Sequence, residues 1–247
     1  MQEPYAVEPE PAIPDLPGDV VVRPTLEDVL DPAAADLFVH ATTCVRAFGD
    51  FHLAFSVGEP QLALAMRLMI DPAYRSLPWN RTHLWMICDT PVPTHDPRSR
   101  FAALAEILVD HAGIPARQIH EVPTGPGAAA AYQRELQEAL AWRERGQDRL
   151  DCAVLAVGDD ATPTGFAEPA DGGLFGPATL EGETAIAMTR TLINATRLIS
   201  VFASGQERRA AVARMSEGDL GGFAGISPIG GSLRWYLDQD AVPTGED

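Results

Sequence analysis

Two adjacent acids at the end of an apolar run are the first residues whose types and spacing could do chemistry. Asp159 and Asp160 follow directly on the run Leu150–Gly158. Close carboxylates can push the pKa of one of them upward, toward that of a general base. Adjacent loop residues usually diverge into solvent, and a turn or helix cap uses the same residue types. The pair is a candidate base, with a structural role as the alternative.

The six histidines offer a second source of a base, because imidazole titrates near neutral pH. His95 follows a predicted strand and is the best candidate among them, whereas His83 falls inside a strand and is expected to pack there. No histidine pairs with another histidine or a cysteine at metal-ligand spacing in the sequence, so we expect no metal. The nucleotide-binding and nucleophile-elbow motifs are also missing, so we expect no cofactor.

Charge and composition exclude several function classes. The net charge is −17, and all 18 basic residues are arginines. Without lysine there is no Schiff-base chemistry, and the acidic surface disfavours nucleic acid as a partner. Three widely spaced cysteines and the lack of a signal-like or membrane-length apolar run predict a soluble, cytoplasmic protein.

Apolar runs alternate with helical patterns along most of the chain. Residues 1–18 hold five prolines and four acids, which predicts a disordered leader. We expect one domain over 19–242 and a short tail over 243–247. The predicted strands are Asp19–Arg23, Phe51–Ser56, His83–Cys88, Gln118–Val122, Leu150–Val157, Thr184–Thr189 and Leu198–Ala203. The predicted helices are Asp31–Ala47, Pro60–Ile70, Phe101–Ala112, Ala128–Arg145, Gln206–Met215 and Ser232–Asp240.

This alternation predicts an α/β domain with a doubly wound, mostly parallel sheet covered by helices on both faces. In such sheets ligands bind beyond the carboxyl ends of the strands. The segments 56–61, 88–100 and 157–169 are therefore the expected site. A glycine pair, Gly230-Gly231, precedes the last predicted helix and could seat an anion, although a glycine-rich helix entry is sufficient explanation.

Several segments, taken in order, resemble the 6-phosphogluconolactonases of the glucosamine-6-phosphate isomerase-like (NagB/RpiA-like) superfamily. They are FHLAFSVGEP, LPWNRTHLWMICDTPVP, LDCAVLAVGDDATPTGF, LINATR, the Ser204-Gly205 pair and WYLD. The likeness covers about Val20 to Ala241. It implies the fold named above and a role in sugar-phosphate metabolism.

The resemblance also implies where a sugar phosphate would be held. The family's SGGSTP turn falls on Ser56, Gly58 and Glu59, and Glu59 places an anion where the phosphate would lie. Two like charges a few ångströms apart cost about 1–4 kcal/mol, so we expect no phosphate there. The family's DER motif retains only Asp89. Arg100 could restore positive charge, or could be a solvated loop arginine.

The same resemblance places the family's catalytic histidine at Thr162, whose hydroxyl is no general base at neutral pH. Asp160 is retained beside it, but Ala161 stands where the family has glycine. The leading interpretation is a catalytically degraded lactonase homologue that binds a carbohydrate or a protein partner. The alternative is an active lactonase, on 6-phosphogluconolactone or an unphosphorylated sugar lactone, whose base has moved to His95 or Asp160.

Overall fold

A computed structural model describes residues 13–158, 161, 166–167 and 173–244. Its strands are β1 (Asp19–Arg23), β2 (Phe51–Phe55), β3 (Thr82–Met86), β4 (Cys88–Asp89), β5 (Ile119–His120), β6 (Cys152–Ala156), β7 (Phe175–Leu180), β8 (Glu183–Met188), β9 (Leu198–Ala203) and β10 (Ser232–Asp238). Its helices are α1 (Leu26–Phe48), α2 (Glu59–Ile70), α3 (Phe101–Leu104), α4 (Asp110–Ala112), α5 (Ala128–Leu140), α6 (Arg190–Ala195) and α7 (Arg209–Ser216). A π-helical turn, Ala105–Val109, joins α3 to α4.

Seven of the strands form one parallel sheet in the order β1-β10-β9-β6-β2-β3-β5. Strands β2 and β9 are buried along their whole length. Parallel strands covered on both faces read as continuous apolar runs, which is why the sequence marks them clearly. The predicted α/β class with a mostly parallel sheet is confirmed.

A second, smaller sheet pairs β4, β8 and β7 in antiparallel fashion. Strands β7 and β8 are joined by Glu181 and Gly182, which both have positive φ, at 51° and 82°. Positive φ at both central residues defines the type I′ turn that suits a two-residue hairpin. This hairpin was not predicted, because only β8 carried a strand pattern in the sequence.

The predicted helix Ser232–Asp240 is wrong, because this segment is strand β10. It pairs in parallel with β1 on one side and with β9 on the other. Its sequence SLRWYLD is rich in residues that favour a pleated surface, and Trp235 donates from its indole nitrogen to the Pro17 carbonyl (2.7 Å). The preceding Gly231 lets two backbones approach, since a Cβ there would lie 2.5 Å from the Thr196 carbonyl oxygen. The glycine pair thus opens a strand and not a helix.

The structure describes residues ahead of the expected domain start at Asp19. Pro14 and Leu16 are buried, and Leu16 belongs to the main hydrophobic core. The rest of the expected leader, residues 1–12, and the last residues of the tail, 245–247, lie outside the described residues. No described helix combines the length and apolar character needed to cross a membrane.

A buried ion network ties together the amino ends of three parallel strands. Arg143, just after α5, contacts Asp50 before β2 (Nη2 to Oδ1, 2.5 Å) and Asp151 before β6 (Nη2 to Oδ2, 2.7 Å). Asp151 also accepts from the His52 backbone N–H (2.8 Å) and from Nε of Arg197, which precedes β9 (3.1 Å). Buried charges are tolerated when they are paired and hydrogen-bonded, as these are.

We predict that Asp151→Asn destabilises the protein by about 3–5 kcal/mol, because it leaves two arginines facing a neutral side chain inside the fold. Urea denaturation followed by circular dichroism measures the free energy of unfolding. The matched control is Asp96→Asn, which removes the charge of a partly exposed partner of Arg98 and should change stability far less. Equal stability of the two variants would contradict this account of the network.

Candidate functional site

A cleft of about 880 Å³ opens beyond the carboxyl ends of the parallel strands. From β2 the sheet grows outward through β3 to β5, and from β6 it grows the opposite way through β9 to β10. The loops that follow β2 and β6 therefore leave in opposite directions, and a crevice forms between them. Described residues that line it include Val57, Gly58, Glu59, Gln61, Arg100, Val157, Gly158, Phe166, Glu181, Arg190, Ser204, Glu207, Arg208, Asp238 and Asp240.

The start of α2 supplies one wall of the cleft. Gly58 is the N-cap and provides no side-chain hydrogen bond to the helix, and Glu59 occupies the exposed first position. Both residues line the cleft, as the resemblance implied. Ser56 is different, because its hydroxyl is buried and donates to the Val154 carbonyl (3.0 Å). Its side chain therefore joins β2 to β6, and Ser56 is not among the lining residues.

Asp89 organises the loop beside the cleft and does not line it. Its buried carboxylate accepts from the backbone N–H groups of Thr90 (2.8 Å), Arg100 (2.8 Å) and Phe101 (2.9 Å). Burial raises the pKa of Asp89, while these hydrogen bonds oppose the rise. The same contacts fix the start of α3 and the backbone of Arg100.

Arg100 lines the cleft and is only partly exposed, so it is not the solvated loop arginine considered as the alternative. One of its terminal nitrogens donates to the Val57 carbonyl (3.1 Å), and the other contacts Glu181 at the hairpin turn (2.5 Å). These contacts join the loop after β2 to the β7–β8 hairpin across the mouth of the cleft. An anionic ligand approaching Arg100 would have to compete with Glu181.

Sequence reasoning missed two further arginines and a buried acid in the cleft. Arg190 begins α6, Arg208 lies just before α7, and Asp238 ends β10. Asp238 accepts from the Ser204 hydroxyl and from the Gly205 backbone N–H (3.1 Å). Arg208 could have been found from its position after the apolar strand β9, whereas Asp238 could not, because the segment that ends there was predicted to be a helix.

The candidate catalytic residues do not come together in the described part of the cleft. His95 is exposed and is absent from the lining residues, while Asp160 and Thr162 lie outside the described residues. Ala161 between them is described, and its φ of 59° lies in the left-handed region that favours glycine. The resemblance places the family's glycine at this position.

Three histidines come together at the opposite end of the sheet, contrary to the expectation from sequence spacing. His52 and His83 stack with ring centroids 4.3 Å apart, and Nδ1 of His83 lies 2.9 Å from Nε2 of His120. Glu135 contacts the other nitrogen of His120 (2.6 Å). Spacing along the chain could not reveal this group, because its members are neighbours only through strand register, with His52 opposite His83.

Ligand atoms of Asp50, His52 and His83 lie within 4.8 Å of one another, which raises the question of a metal. The Trp85 indole N–H donates to Nδ1 of His52 (3.1 Å), so the proton of the neutral ring is on Nε2. That Nε2–H points to Asp50 (3.1 Å), which also pairs with Arg143. His52 therefore has no lone pair to offer, and the donor set does not fit a metal ion.

The chain belongs to the family of glucosamine-6-phosphate isomerases and 6-phosphogluconolactonases. The model of that family matches residues 24–164, which is more than half of the chain. The match includes the loop after β2 and the first residues after β6, among them the cleft residues Val157 and Gly158.

Curated relatives and solved structures agree with this assignment. The chain is 28% identical over 278 residues to the GDH/6PGL endoplasmic bifunctional protein of Homo sapiens, a match that covers 97% of this chain and 33% of that protein. It therefore spans about a third of that relative's length. It is 28% identical over 211 residues to the 6-phosphogluconolactonase of Nostoc sp., covering 81% and 86% of the two chains. The structure of 6-phosphogluconolactonase from Thermotoga maritima has the same fold, with a TM-score of 0.76, 17% identity and coverage of 89% and 99%.

We predict that acid destabilises the protein through its buried histidines. Burial, followed by the charges of His52 and His120, lowers the pKa of His83 to about 3, and burial also lowers the pKa of His52. Below about pH 6.5 these histidines bind protons in the unfolded chain but stay neutral in the folded chain, so the free energy of unfolding falls toward pH 3. Each histidine that stays neutral contributes a slope of at most about 1.4 kcal/mol per pH unit.

The measurement is the free energy of unfolding at several pH values between 7.5 and 4.5. His83→Gln should flatten the dependence on pH, and His111→Gln, which changes an exposed histidine, should leave it unchanged. The same slope in both variants would show that His83 does not carry the effect.

Proposed function

We propose that this protein is a carbohydrate-binding member of the family that does not hydrolyse lactones at an enzymatic rate. One observation carries the proposal: all six histidines are described residues, and none of them lines the described part of the cleft. Hydrolysis of a lactone needs a group that takes a proton from the attacking water, and histidine suits that role best at neutral pH.

The charges of the cleft support an oxygen-rich ligand of low negative charge. Among its described lining residues are three arginines and five acids: Glu59, Glu181, Glu207, Asp238 and Asp240. Carboxylates accept hydrogen bonds from hydroxyl groups, and arginines donate to ring, carbonyl and carboxylate oxygens. Glu59 stands at the start of α2, where an incoming phosphate would meet a like charge. A hydroxylated sugar, its lactone or its sugar acid fits this lining better than a sugar phosphate does.

The relatives give the class of ligand from a different direction. The Nostoc relative is named a 6-phosphogluconolactonase, and so is the Thermotoga maritima protein that shares the fold. Carried to this chain as part of the proposal, those names point to a sugar lactone or the corresponding sugar acid as the ligand. The arginines and acids of the cleft then decide which member of that class is bound.

An active lactonase with a relocated base is the second candidate. It depends on His95 or Asp160. His95 is exposed outside the cleft, which weakens that half of the alternative. Asp160 lies outside the described residues, and its carboxylate is the base that this alternative still requires.

We predict that the purified protein leaves the hydrolysis of 6-phosphogluconolactone and of glucono-1,5-lactone at the spontaneous rate. The rate of hydrolysis is measured by titrating the acid that is released while the pH is held constant. Thr162→His restores a base at the position implied by the resemblance and should be the only variant with turnover above background. Thr43→His, on the exposed face of α1, is the matched control.

Turnover by the unaltered protein at a rate typical of an enzyme would contradict the proposal. In that event Asp160→Asn and His95→Gln would identify the base, because only the variant that lacks it would lose activity.

A further inference from the structure

The side-chain amide of Gln61 is buried in the wall of the cleft. It lines the cleft and is 0% exposed. Neither its Nε2 nor its Oε1 has a hydrogen-bond partner among the described residues. Buried polar groups in folded proteins are nearly always paired, so an amide that lacks partners at both ends needs a specific explanation.

Gly58 lies next to the oxygen of this amide. Its φ of −166° is extended backbone that any residue adopts, so the conformation does not require glycine. A Cβ at position 58 would lie 2.8 Å from Oε1 of Gln61, so a larger residue there would push the amide at the end of this side chain aside. Gly58 and Gln61 both line the cleft, so the glycine leaves the amide in its place at the cleft wall.

The chemistry of these groups selects the partner. An amide offers a donor and an acceptor side by side, and a hydroxyl group can satisfy both at once. Glu59 lies between the two residues and is exposed at the first turn of α2. Its negative charge disfavours a phosphate or carboxylate here but accepts a hydrogen bond from a second hydroxyl.

We propose that Gly58 and Gln61 form a subsite for a hydroxyl group on the uncharged part of a carbohydrate ligand. The proposal rests on the carbohydrate-binding function proposed above, and it adds which group of the ligand is recognised and by which residues. Gln61 is a specificity-determining residue in this account. In the ligand-free protein the amide lacks hydrogen-bond partners among the described residues, and the hydroxyl group of the ligand supplies them.

A substitution at Gln61 tests the proposal through two independent measurements. Gln61→Met keeps the length of the side chain and removes the unpaired amide. The ligand-free variant should therefore melt about 2–4 °C above the unaltered protein. The matched control is Gln118→Met, because Gln118 is also buried but its amide donates to the Thr82 carbonyl (3.1 Å). That variant should melt at a lower temperature.

Binding is measured by isothermal titration calorimetry with D-gluconate as the probe. The unaltered chain and Gln118→Met should bind the probe equally, and Gln61→Met should bind it at least about 10-fold more weakly, because a hydroxyl then faces a group that cannot pair with it. Equal affinity of Gln61→Met and the unaltered chain would overturn the subsite and leave the carbohydrate-binding function standing.

Two other outcomes also decide the matter. Failure of the unaltered chain to bind D-gluconate would overturn the carbohydrate-binding function, and the subsite with it. A melting temperature of Gln61→Met as low as that of Gln118→Met would mean that an internal water pairs with the amide. The explanation from a ligand would then be overturned.

Discussion

The structure depends on the side-by-side parallel pairing of β2 and β6 at the point where the strand order reverses. Parallel strands place all their carboxyl ends at one edge of the sheet, and the reversal sends the next connections in opposite directions. The cleft follows from that constraint. So does the ion network below it, because Asp50 and Asp151 precede these same two strands and Arg143 holds both.

The two ends of the sheet have different roles. At the amino end, acids, arginines and histidines are paired with one another inside the fold, and the tautomer of His52 is set by Trp85 and Asp50. The pairing of these groups stabilises the fold. At the carboxyl end, the described lining of the cleft contains arginines and acids but none of the histidines. The chain thus retains the fold of the family. Its function has to be inferred from the residues of the site, because the fold alone does not determine function.

Much of the fold could be predicted from the sequence, because strands buried on both faces leave uninterrupted apolar runs. The prediction for β10 was wrong, since its short run SLRWYLD cannot be told from a helical pattern without knowing which strands lie beside it. In the site, Gly58, Glu59 and Arg100 were found because they follow strands that were recognised. The histidine group and the unpaired amide of Gln61 could not be found, since both depend on contacts between segments far apart or on buried geometry.

The most direct test of the central claim is a crystal structure of the protein with D-gluconate bound in the cleft. The account predicts a sugar hydroxyl within hydrogen-bond distance of both amide atoms of Gln61. It also predicts that neither a histidine nor the Asp160 carboxylate lies within reach of a water positioned to attack C1. A carboxylate or imidazole holding such a water beside C1 would contradict it, and the protein would then be an active lactonase with a relocated base.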